Sequence, residues 1–167
     1  VPVPCAVAVT LRGMETAIVR RVAFAELADA STFASLCAEY AQESANADLA
    51  GRAPDHHAYA GMEAAGVAHF LGAFRGEELV GFACLLVTPV PHFQGRLIGT
   101  TESIFVAAAH RPGGAGIALL RATEALARDL GATGLYVSGP AGGRLVRLLP
   151  AAGYRETNRT FYRGLYA

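Results

Sequence analysis

The 167-residue chain contains no lysine and no tryptophan, and only three cysteines and two methionines. Without lysine, all 14 basic residues are arginines, and they balance 14 acids to a formal net charge of zero. No basic stripe of the kind that neutralises phosphates along a polyanion is present, so nucleic acid is not an expected partner. Cys5, Cys37 and Cys84 are odd in number and form no C-x-x-C pair. This excludes a disulfide framework or zinc knuckle and fits a reduced, cytoplasmic compartment. Long apolar runs are also missing. The best stretch, residues 79–90, is about a dozen long and closes on Pro89 and Pro91, short of the ~18 needed to span a bilayer.

What is present is a chain that should fold alone: 53% hydrophobic against 17% charged residues lies far from the composition of disordered segments. Alanine accounts for 34 positions, so the core must rely on Leu, Val, Phe and Tyr rather than on the raw hydropathy. The length predicts one domain, placed at residues 17–167. Residues 1–13 lack the basic start of a signal peptide and precede an internal Met14, and residues 1–16 are read as a disordered extension, with a misplaced start as the alternative.

Residues 17–22 (AIVRRV) have strand composition, and residues 29–42 place Phe33, Leu36, Cys37 and Tyr40 on one helical face. Asp55 is an N-cap candidate for a second helix that runs to about residue 65 and stops at Gly66. Residues 69–74 and 79–88 are apolar β-rich runs around a Gly-containing turn, and residues 97–106 resume the pattern after a loop. Residues 116–130 read as an amphipathic helix with Ile117, Leu120, Leu126 and Leu130 inward and a Glu124–Arg128 pair. A short strand (133–138), a short helix (144–149) and a terminal strand (160–165) complete a β-α-α-β-β-β-α-β-α-β order. The fold class is α+β.

Chemistry concentrates in residues 102–120, ESIFVAAAHRPGGAGIALL. A strand runs into Arg111-Pro112-Gly113-Gly114-Ala115-Gly116, and a helix starts at once. Glycines let the backbone approach an anion closely, and the free amides and positive dipole end of the helix favour phosphate. A P-loop is excluded, because it requires a lysine. The dinucleotide fingerprint fails as well, with Leu119 where its third Gly belongs and no acid about 20 residues on.

Arg111, Gly114 and Gly116 match the Gln/Arg-x-x-Gly-x-Gly/Ala signature, and with the order of elements from residue 17 to 165 the chain resembles the GNAT superfamily of acetyl-CoA-dependent N-acetyltransferases. The resemblance implies a mixed, mostly antiparallel, splayed sheet flanked by helices. It implies acetyl-CoA as co-substrate, with the diphosphate on Arg111, Gly113, Gly114, Ala115 and Gly116 and the pantetheine along the backbone of Ile104, Phe105 and Val106. Transfer would go by direct attack to a primary amine of a small molecule or peptide. Two departures stand out: Pro112 removes one amide from the cradle, and Leu149 and Gly142 stand where many members keep a Tyr general acid and an Asn that touches CoA.

Glu102, nine residues before Arg111, stands where polyamine-type members keep a carboxylate, which makes it the candidate general base. The alternative is an ordinary acid at a sheet edge. His110 precedes the cradle, and His92 and Phe93 lie in a long loop; both sites are read as surface features unless they face a ligand. His56 and His57 are adjacent, with no carboxylate at metal spacing, so no metal is expected. Tyr136, Tyr154, Tyr162 and Ser138 are minor candidates for a substitute acid. Cys37 and Cys84 read as buried small hydrophobes. Phe161, Tyr162, Leu165 and Tyr166 form an apolar tail suited to a homodimer. The competing function is a catalytically silent CoA-binding module of the same fold.

Overall fold

Strands buried on both faces read as continuous apolar runs rather than alternating ones, and two runs of this kind make the centre of the molecule. They are β2 (Ala68–Arg75) and β3 (Glu78–Pro89), whose residues are buried almost without a break. The computed structural model describes residues 17–44 and 52–165. β1 (Ile18–Val22), β2, β3 and β4 (Leu97–Val106) are joined antiparallel in that order, and β5 (Ala132–Tyr136) adds in parallel to β4.

Helices cover the two faces. On one side α1 (Phe24–Asp29), α2 (Phe33–Glu43) and α3 (His56–Ala64) enclose a cluster built on Phe24, Leu27, Phe33, Phe70, Phe82 and Phe105. On the other, α4 (Ala115–Asp129) buries Ala115, Ala118, Leu119 and Ala122 against Val19, Leu71 and Val80. Small alanines on this stripe let α4 lie close to the sheet, and α5 (Arg144–Leu148) follows β5.

The α+β class and the open, mostly antiparallel sheet agree with the sequence reading, and four details differ from it. α1 is an additional helix of six residues without a side-chain N-cap, too short for its periodicity to show. Ile117 is 41% exposed, the inward stripe of α4 passing through Ala118 and Leu119 instead. Glu124 pairs with Arg121 and not with Arg128. No strand forms at residues 160–165 among the described residues; Phe161 is 88% exposed and Leu165 80%. Strand propensity alone does not make a strand where no neighbouring strand pairs with it among the described residues. Tyr166 lies outside the described residues.

Two irregularities of β4 shape everything that follows. Its parallel pairing with β5 ends at Thr100, which is opposite Tyr136, so the last six residues of β4 have no strand on that side and the sheet splays open. On its other side, Ser103 pairs with Cys84 and Thr101 with Leu85, leaving Glu102 as the extra residue of a β-bulge.

Candidate active site

The glycine turn at the end of β4 has backbone geometry suited to an anion. A short 3-10 turn (Ala108–His110) leads into Arg111, which is right-handed, and then Gly113 and Gly114 take φ of 103° and 83°. The left-handed Gly114 followed directly by the helical Ala115 turns successive N–H groups toward one point. Ala118 donates the first intrahelical bond of α4, to the Gly114 carbonyl at 2.9 Å. The amides before it therefore lack helical acceptors and face outward at the positive end of the dipole. A Cβ built on Gly114 or Gly116 meets nothing within 4 Å, so the space above the turn is open. The turn thus has the room and the donors that a diphosphate needs.

Two arginines hold the turn from behind. Arg75, at the end of β2, donates to the Pro112 carbonyl at 3.0 Å and to that of His110 at 3.5 Å. Arg111 folds back rather than reaching out: its Nε donates to the Val106 carbonyl at 2.8 Å and its Nη2 to Glu43 on α2 at 2.7 Å, with the guanidinium over the Phe105 ring. Its charge is committed to Glu43, which leaves anion attraction in the cradle to the backbone. Glu39 fixes the same corner by accepting from the Ala108 amide at 2.8 Å.

At the other end of the same stretch of β4 lies a cleft of about 400 Å³. Phe24, Phe33, Tyr40, Tyr59, Phe70 and Phe82 supply its aromatic lining. The bulge is what brings Glu102 there: strict alternation would put it on the face opposite Ser103, yet both line the cleft. One carboxylate oxygen of Glu102 accepts a hydrogen bond from the Tyr59 hydroxyl at 2.9 Å. Val106 lies four positions beyond Glu102, roughly 13 Å of strand at ~3.3 Å per residue.

The charge of Glu102 is felt by Tyr59, Tyr40, Cys37 and Cys84 in the cleft. Burial first, and then Glu102, push the Tyr59 phenol far above its ordinary value, with the hydrogen bond adding to both. Tyr40 is raised for the same two leading reasons. Burial followed by Glu102 lifts the Cys37 thiol to about 11 and the Cys84 thiol to about 12. Both thiols are neutral at physiological pH, which fits inert small hydrophobes. At pH 7.5 a thiol of pKa ~11 is ionised about 300-fold less than one of ~8.5. Alkylation of Cys37 and Cys84 by iodoacetamide, followed by peptide mapping, is therefore expected to run at least 100-fold slower than that of free cysteine and to accelerate as the pH approaches 11. Labelling of either at the free-thiol rate would contradict this picture of the cleft.

Sequence reasoning missed Tyr59 and the role of Tyr40. Tyr59 comes from α3, whose Asp55 N-cap accepts from the Ala58 amide at 2.9 Å, and its meeting with Glu102 across 43 positions leaves no trace in sequence spacing. Tyr40 was legible only as part of the apolar stripe of α2. The other candidates lie elsewhere. His92, Phe93, Tyr136, Ser138, Tyr154 and Tyr162 do not line the cleft. Tyr154 donates to Glu124 at 2.9 Å on the far side of α4, and the Ser138 amide reaches Thr101 Oγ1 at 3.4 Å. His110 Nδ1 is buried without a partner behind the glycine turn. Leu149 caps the end of α5. Among the described residues no cluster of His, Cys, Asp or Glu could hold a metal, and no helix is long and apolar enough to cross a membrane.

A sheet that splays after its fourth strand, with an anion cradle at the start of the next helix, is the architecture of an acyl-group transferase. The family model described as Acetyltransferase (GNAT) family matches residues 32–148, and the chain belongs to that family. Solved structures of the same fold include a ribosomal-protein-alanine N-acetyltransferase from Brucella melitensis biovar Abortus, 23% identical, with a TM-score of 0.66 over 89% of this chain and 98% of that one. An aminoglycoside acetyltransferase from an uncultured soil metagenomic sample is 20% identical, with a TM-score of 0.69 over 89% and 97%. An acetyltransferase from Trypanosoma brucei is 20% identical, with a TM-score of 0.63 over 88% and 98%. A search of curated proteins finds no match.

Proposed function

We propose that this protein transfers an acetyl group from acetyl-CoA to the primary amine of a small molecule or peptide by direct attack, with Glu102 as general base. The observation that carries the reading is the arrangement along one strand: the splayed half of β4 has an open anion cradle beyond its end and a bulged carboxylate in an apolar cleft before it. Acetyl-CoA supplies an activated acetyl thioester. The amides of Gly113, Gly114, Ala115 and Gly116 would hold its diphosphate, with Arg111 bracing the turn from behind, and the backbone of Ile104, Phe105 and Val106 would align the pantetheine.

Glu102 would take the proton from the attacking ammonium at the carboxylate oxygen, while Tyr59 fixes its orientation. No residue is needed as a nucleophile, in accord with the neutral thiols of Cys37 and Cys84. The N–H groups of β4 left without a strand partner could polarise the thioester carbonyl. Cysteine usage supports a reduced, cytoplasmic setting, and the exposed Phe161 and Leu165 support a homodimer.

A second reading, a silent CoA-binding module, draws on Leu149 and Gly142 standing in place of a Tyr acid and an Asn. A thiol of pKa near ~8.5 leaves tolerably as thiolate around neutral pH, so the missing acid does not preclude turnover. Thiol release from acetyl-CoA across an amine panel separates the two. Amine-dependent release is expected; a rise in Tm with acetyl-CoA and no release with any amine would favour the silent module, and neither effect would sink both.

A further inference from the structure

We propose that the acceptor is a small monoamine whose single ammonium is carried on an aryl or alkyl body, and not a polyamine, an aminoglycoside or a peptide N-terminus. This rests on the acetyl-transfer reading and narrows it to a substrate class. The cleft, at about 400 Å³, lies toward the small end of ligand pockets. Its walls are aromatic and locked to one another. Phe24 lies 5.1 Å from both Tyr59 and Phe70, Tyr59 packs edge-on to Phe70 at 5.6 Å, and Phe33 meets Phe82 at 5.5 Å. A preformed apolar wall rewards an apolar body and gives nothing to a hydroxyl-rich sugar, whose polar groups would lose water without replacement partners.

Charge argues the same way. Among the described residues, Glu102 is the single carboxylate that lines the cleft, and the one cation on its lining is Arg52. The other acids nearby are used in holding the scaffold. Glu39 accepts from the Ala108 amide, Glu43 from Arg111, and Glu63 from the Phe24 amide at 3.0 Å. One ammonium thus finds Glu102, with the Tyr40 and Tyr59 rings beside it for a cation–π contact. A second ammonium would find no further carboxylate among the described lining residues and would approach Arg52. The solved relatives named for aminoglycosides share the fold with this chain, but the charge of this cleft does not suit a polycation.

The test compares kcat/KM by thiol release for phenethylamine, spermidine, an aminoglycoside and a peptide with an N-terminal alanine. Calorimetry of phenethylamine with the protein alone accompanies it. Phenethylamine is expected to lead spermidine by at least tenfold and to bind by itself. Ala41, on the α2 side of the cleft, allows a gain-of-function check. Ala41→Glu adds the missing second carboxylate and is expected to shrink the preference at least fivefold, whereas Ala41→Gln leaves it unchanged. If spermidine, the aminoglycoside or the peptide is the best acceptor, this inference falls and acetyl transfer stands. If phenethylamine binds but no amine releases thiol, the pocket assignment stands and the transfer reading falls. Neither binding nor release would overturn both.

Discussion

Glu102→Gln is expected to lower turnover at pH 7 by 10²–10⁴-fold while leaving the affinity for acetyl-CoA almost unchanged. The reasoning begins with the substrate. An alkylamine with a pKa near ~10 is almost wholly protonated at pH 7, and only its free base can attack a thioester. In the proposed mechanism the Glu102 carboxylate, which lines the cleft, removes that proton as the bond forms. Gln keeps the shape and can still accept from the Tyr59 hydroxyl, but it cannot take a proton.

The pH profile separates this from a structural effect. In the variant the rate depends on the small fraction of free amine and should climb about tenfold per pH unit until the amine is deprotonated. The neighbours do not confuse the profile, because burial, the leading cause, still raises Tyr59, Cys37 and Cys84 once the charge of Glu102 is gone. Near-parental turnover of the variant at pH 7, on an amine the parent accepts, would make Glu102 structural and send the search for the base elsewhere.

Gly116→Val is expected to raise the KM for acetyl-CoA at least tenfold without lowering Tm. Gly116 lies in the first turn of α4 with no positive φ, and a Cβ there touches no protein atom. Valine is at least as good as glycine in a helix, so stability should hold. The added methyl groups project into the open space over the amides, where the diphosphate would lie. Gly114→Val is the informative contrast: with φ at 83° it forces a β-branched residue into the left-handed region. That variant should lose stability by about 1–2 kcal/mol in addition to affinity. Calorimetric affinity and thermal unfolding of the two variants distinguish a blocked cradle from a strained backbone. Unchanged acetyl-CoA binding in Gly116→Val would move the phosphate site away from this turn.

Much of the cradle was legible in the chain, because its information is local. A strand, a glycine cluster and a helix start follow one another within residues 102–120, and glycine at left-handed positions is a backbone requirement that spacing reveals. The apolar runs at residues 69–74 and 79–88 likewise announced the β2–β3 pair. The terminal strand was misread because residues 160–165 carry strand-type side chains, whereas strand formation depends on a neighbour that the described structure does not provide. Ile117 was misplaced by one step of the helix, since a stripe rich in alanine leaves the periodicity of the few large residues ambiguous.

The sequence by itself determined the fold class and the glycine turn through patterns that span a few turns of backbone, and the family resemblance added Glu102 as the acid worth testing. Only the tertiary structure decided where Glu102 points, because a bulge opposite Cys84 and Leu85 is a mismatch between two strands and belongs to neither one alone. It also decided what Glu102 meets. Tyr59 on α3, the aromatic wall from α1, α2 and the sheet, and the commitment of Glu39, Glu43 and Glu63 elsewhere are contacts between distant residues. Their geometry exists only once hydrophobic burial has closed the helices over the sheet.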